Sequence, residues 1–141
     1  MDWLREISKA IDKKGLFHDA DHRLRFWEMV SCYRDRDFFN AGMCKCIFLG
    51  AWDDEHFAQL LSMLSQLSLS DNMDLNDMSE NGRFMADEVD EGDKYILLLS
   101  CSFIENKPFD TKLPEDIDER TRLVIGSALE AAKIIDEMYK G

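Results

Sequence analysis

Breakers are scarce in this chain: two prolines and seven glycines punctuate 141 residues. So few turn formers argue against a many-turned β architecture and favour helices. Histidine is scarce as well, with three in all, which leaves a nucleophilic enzyme few bases to draw on. No Gly-x-Ser-x-Gly elbow, phosphate-cradling P-loop or dinucleotide fingerprint is present. Long apolar runs are missing: Ile96 to Leu99 is far too short to cross a bilayer. The opening Met1-Asp2-Trp3-Leu4-Arg5-Glu6 has neither the basic flank nor the apolar run of a secretory signal. A cytoplasmic location without membrane contact is therefore expected. Cys32, Cys44, Cys46 and Cys101 are then thiols that pack as small hydrophobes.

Basic charge is nearly absent from the middle of the chain. Residues 51–93 hold twelve Asp/Glu against Arg83 alone, whereas residues 1–50 hold eight Asp/Glu and nine Lys/Arg. The net charge of −12 excludes a general phosphate-binding surface, so direct binding of nucleic acid is not expected. Arg23, Arg25, Arg34 and Arg36 form a local basic group that is expected to pair with the protein's own acids.

What is present suffices for one packed domain spanning residues 1–141. Hydrophobic residues make up 45% and charged residues 33% of the chain, which offsets chain entropy without disulfides or metal. Trp3, Leu4, Ile7, Ala10 and Ile11 recur at helical spacing, and Lys13-Lys14-Gly15 is a stop matched to the helix dipole. Asp19 or Asp21 can cap a second helix running to about Arg34, with Leu24, Trp27 and Val30 as its apolar stripe. Asp37 to Leu49 is almost continuously apolar and fits a buried helix or a buried strand. Asp53-Asp54-Glu55 opens a helix whose apolar face is Phe57, Leu60, Leu61, Leu64 and Leu67. Asp93 to Glu105 reads as a helix buried on most sides, the natural centre of a bundle. Leu113-Pro114-Glu115-Asp116 starts a last helix whose inward face includes Ile117, Leu123, Val124, Ala128, Ala131, Ile135 and Met138. The expected fold is an all-α bundle of five or six helices with a long acidic connection at about 68–92. The alternative is α+β, with 43–49 and 95–103 as two buried strands.

Three patterns could carry chemistry. His18-Asp19-Ala20-Asp21-His22 places two histidines four apart, a spacing that can join them on one metal if both lie on a helix. A His-Asp doublet also occurs in metal-dependent phosphohydrolases of the HD type, but those need a further upstream histidine, and none precedes His18. The bland reading is a helix start capped by Asp, with solvated histidines. Cys44-Lys45-Cys46 is spaced too tightly for a structural zinc knuckle and reads as buried thiols. Asp71-Asn72-Met73-Asp74-Leu75-Asn76-Asp77-Met78-Ser79-Glu80 resembles a calcium loop only until its register is checked: a methionine falls on a ligand position from either start, and no Gly stands sixth.

The charge map therefore points to a non-enzymatic acidic binding domain that needs no metal or cofactor. Its partner is a basic protein surface, engaged as an inhibitor, an immunity-type neutraliser or a mimic of nucleic-acid charge would engage it. Asp71, Asp74, Asp77, Glu80, Asp87, Glu88, Asp90 and Glu91 are the expected contact residues. Two alternatives belong to other classes. One is a structural subunit contacting its neighbours through the first 57 residues, which hold ten of the fifteen aromatics. The other is a metal-dependent hydrolase built on His18, Asp19 and His22.

Overall fold

The computed structural model describes residues 2–36, 39–58, 91–109 and 112–140, and of 91–93 the backbone alone. The described residues form helices and no strand, so the α+β alternative gives way to an all-α bundle. Five helices follow in order: α1 (Trp3–Lys13), α2 (Ala20–Tyr33), α3 (Ala41–Gly50), α4 (Glu91–Glu105) and α5 (Glu119–Met138). Residues 54–58 add a helical turn. No helix among the described residues is long and apolar enough to cross a membrane.

Local signals set the helix ends. Asp2 caps α1 by accepting the Leu4 N–H at 3.2 Å. The helix closes on Gly15, whose φ of 67° lets the Leu16 N–H return to the Ile11 carbonyl at 3.2 Å. Asn40 caps α3 through Met43 N–H at 2.9 Å. At the end of α4, Asn106 takes the left-handed conformation, φ 56°, and Lys107 N–H closes on Ser102 at 3.0 Å.

The bundle is centred on α3. Every residue from Met43 to Gly50 is buried, and the helix packs against α2, α4 and α5 at once. This corrects the expectation that the segment from Tyr95 to Ile104 is central. That segment forms α4, packed on α3 and α5, with Leu98 half-buried and Leu99 fully buried. α3 and α4 approach closely at Gly42, where a Cβ would lie 2.3 Å from the Phe103 carbonyl oxygen. No side chain fits between the two backbones there.

Two apolar faces differ from the sequence reading. α2 buries His22, Phe26, Met29 and Val30, while Leu24 is 53% exposed and Trp27 half-buried. α5 begins at Glu119, after a turn in which Ile117 N–H bonds the Pro114 carbonyl at 3.1 Å. It buries Val124, Ile125, Ala128, Ala131, Ala132, Ile134 and Ile135, and leaves Leu123 in solvent.

Candidate functional site

Of the acidic residues singled out by the charge map, Asp71, Asp74, Asp77, Glu80, Asp87, Glu88 and Asp90 lie outside the described residues. Glu91 opens α4, and its side chain lies outside them too. The apolar face expected at Leu60, Leu61, Leu64 and Leu67 also falls there.

The His18–His22 segment is described in full. The helix starts at Ala20, so His18 stands before α2 and the two histidines do not share a helical turn. Asp19 is the cap and accepts the His22 N–H at 2.7 Å. His22 is fully buried, not solvated, and both ring nitrogens are bound to backbone. The His18 N–H donates to Nδ1 at 2.9 Å, and Nε2–H donates to the Phe48 carbonyl at 2.8 Å. Burial pushes the His22 pKa down to about 4, because charging the ring there is costly. No lone pair is left for a metal. The His18 ring instead stacks on Trp52, 4.9 Å between centroids.

The same face of α2 finishes α3. A helix leaves its last carbonyls without partners. Here Phe48 is served by His22, while Arg25 donates from Nε to the Ala51 carbonyl at 2.9 Å and from Nη2 to the Trp52 carbonyl at 3.1 Å. A guanidinium at this end also complements the helix dipole. Around this joint Phe17, Phe26, Phe48 and Trp52 close an aromatic cluster over the His22 ring. The pattern that looked like a metal site is thus a two-residue cap joining α2 to α3.

The thiols separate by burial. Cys44, Cys46 and Cys101 are buried and Cys32 is exposed. Burial raises the Cys44 and Cys46 thiols to about 12, so at neutral pH neither offers a thiolate. Among the described residues no three His, Cys, Asp or Glu side chains gather as a metal site would require.

Two polar clusters were not singled out from the sequence. Asp53 Oδ1 accepts the His56 N–H at 2.9 Å and stands 2.7 Å from His56 Nδ1, while Oδ2 takes the Arg120 guanidinium. Burial alone would raise the Asp53 carboxyl, but the bonds from His56 and the Arg120 charge hold it below its ordinary value. The Asp-x-x-His spacing is that of a cap and its third helical residue, a signal the sequence does contain. The second cluster is Lys45, the one charged residue of α3, with Nζ 2.5 Å from Asp136 on α5. No local pattern links positions 45 and 136, so only the fold reveals this pair.

Of the four arginines expected to pair internally, Arg23, Arg25 and Arg34 do so, and Arg36 forms no ion pair among the described residues. Arg23 meets Asp12 at 3.5 Å, Arg25 meets Asp54 at 3.3 Å, and Arg34 meets Asp2 at 3.0 Å with its guanidinium over the Trp3 ring. No protein-family model, curated protein or solved structure matches the chain.

Proposed function

We propose that this chain is a non-enzymatic binding domain, acting in the cytoplasm, whose acidic stretch engages a basic surface of a partner protein. The observation that carries the reading is how charge is partitioned. The described helical residues hold twenty Asp/Glu against sixteen Lys/Arg, a balance of −4, whereas residues 71–90 hold seven against one, a balance of −6. Half of the net charge therefore sits in twenty residues. Several cations of the helical body, Arg23, Arg25, Arg34 and Lys45 among them, meanwhile neutralise their own neighbours.

A concentrated acidic stretch steers a basic partner by long-range attraction and raises its association rate. Asp71, Asp74, Asp77, Glu80, Asp87, Glu88, Asp90 and Glu91 supply that attraction in this reading. By covering a basic surface, such a domain competes with whatever anion that surface ordinarily binds, which is the action of an inhibitor or a charge mimic.

The reading is tested by capture from native lysate on immobilised protein, intact or with Asp74, Asp77, Glu80, Asp87 and Glu88 changed to Asn or Gln. A basic protein retained by the intact form, released by salt and absent from the neutralised form supports it. Identical captured sets from the two forms contradict it.

A further inference from the structure

A groove of about 700 Å³ runs between α1 and α2, on the outside of the bundle and away from the acidic stretch in sequence. Arg5, Ser8 and Lys9 line it from α1, and Arg23, Leu24 and Trp27 from α2. Its size falls in the range of pockets that take small organic ligands, roughly 300–1,000 Å³.

Three features define what it can hold. The first is an apolar wall: Leu24 is 53% exposed here and Trp27 is half-buried, so a ligand seated between them removes apolar surface from water. The second is positive charge outside any ion pair. Arg23 is taken by Asp12 at 3.5 Å, but Arg5 and Lys9, one turn of α1 apart, have no ion pair among the described residues. Asp12 and Asp21 are also on the lining; Asp12 is met by Arg23, so Asp21 alone is left to oppose Arg5 and Lys9, and the cations stay in excess. The third is Ser8, nine-tenths buried on this lining, whose Oγ has no hydrogen-bond partner among the described residues. A helical serine ordinarily bonds back to the carbonyl four residues earlier, and a hydroxyl buried without a bond is costly.

We propose that this groove is a binding site for a small amphipathic organic anion. Its apolar body lies along Leu24 and Trp27, and its carboxylate-like head lies between Arg5 and Lys9, beside Ser8, whose buried hydroxyl turns about χ1 to donate to it. The head gives the Ser8 hydroxyl a partner that it lacks among the described residues. The site is independent of the acidic stretch and does not rest on the function proposed above.

Titration of the ¹⁵N-labelled full chain with decanoate, followed by amide and indole N–H shifts, tests it. Saturable shifts confined to α1, α2 and the Trp27 indole are expected, with decanol binding at least about tenfold more weakly because it lacks the charge. Arg5→Gln with Lys9→Gln should weaken decanoate about tenfold while leaving the melting temperature unchanged, since both side chains are exposed. Ser8→Ala should weaken it without loss of stability, because the hydroxyl makes no bond in the free protein. The variant neutralised between Asp74 and Glu88 should bind decanoate as the intact chain does. Equal binding of decanol and decanoate, shifts centred elsewhere, or an acidic Leu/Glu helical peptide that saturates the groove while decanoate does not would each overturn the proposal.

Discussion

His22 shows how a side chain that looks reactive can be held inert by its surroundings. Its ring is neutral because burial opposes the charge, and because Nδ1 must accept from His18 while Nε2–H donates to Phe48. The consequence is a definite dependence of stability on pH. An unfolded histidine takes its proton near 6.5, whereas the folded one resists protonation down to about 4. Above 6.5 both states are neutral and the fold loses nothing. Between 6.5 and 4 the unfolded state gains a proton that the folded state refuses, so stability falls as pH falls, by about 3 kcal/mol in total. Urea unfolding across that window should show the decline, and His22→Gln should flatten it. An NMR titration placing the His22 pKa near 6.5 would contradict this. The carboxylates held low, Asp2, Asp19, Asp53 and Asp118, act below this window: their contribution is lost as pH falls beneath 3.8.

Neighbouring leucines on α4 give a second test at the same scale. Leu99 is fully buried and Leu98 only half-buried. Leu99→Asp should cost roughly 3–5 kcal/mol, the scale of an uncompensated buried charge, and Leu98→Asp about 1 kcal/mol. Equal melting points for the two variants would mean that α4 is rotated from the orientation described.

Among elements, the most constrained contact is the crossing of α3 and α4 at Gly42. Alanine is the better helix former by about 1 kcal/mol, so in a loose contact Gly42→Ala would stabilise. With the Phe103 carbonyl oxygen 2.3 Å from the added carbon, the substitution should instead destabilise by about 1–3 kcal/mol as the helices are forced apart. The sign of the change in melting temperature settles which holds.

Helix ends were legible in the sequence, because caps and stops act within a few residues of themselves. Asp19 and Gly15 each do locally what their residue types suggest. Faces were less legible. On α2 both Leu24-Trp27 and His22-Phe26-Met29-Val30 follow helical spacing, and the choice was made by partners in α3 that lie more than twenty residues away. Likewise α3 and α4 are both nearly continuous apolar stretches, so which one is enclosed on more sides depends on how α2 and α5 pack. α5 starts at Glu119, beyond the Leu113-Pro114-Glu115-Asp116 segment expected to open it, because Pro114-Glu115-Asp116 suits a turn as well as a first helical turn. The candidate sites divide similarly: Asp53–His56 had a local signature, whereas Lys45–Asp136 and the α1–α2 groove arise only from packing.

At the scale of the whole molecule, the helical body keeps its chemistry to itself. Its buried Cys44 and Cys46 thiols are raised out of reach, His22 is used as a cap, and Arg23, Arg25 and Arg34 answer acids beside them. The charge left over is concentrated between Asp71 and Asp90. If recognition works through that charge, it acts mainly on the approach of the partner, since charges at the rim of a contact change association more than dissociation. The measurement that separates recognition from simple solvation is the association rate of a captured basic partner, followed against salt, for intact protein and for the variant neutralised at Asp74, Asp77, Glu80, Asp87 and Glu88. The neutralised variant should keep its melting temperature, associate more slowly at low salt and show a flatter salt slope. An unchanged rate and slope, with the variant still folded, would contradict a recognition role for the acidic stretch and leave it a solubilising segment.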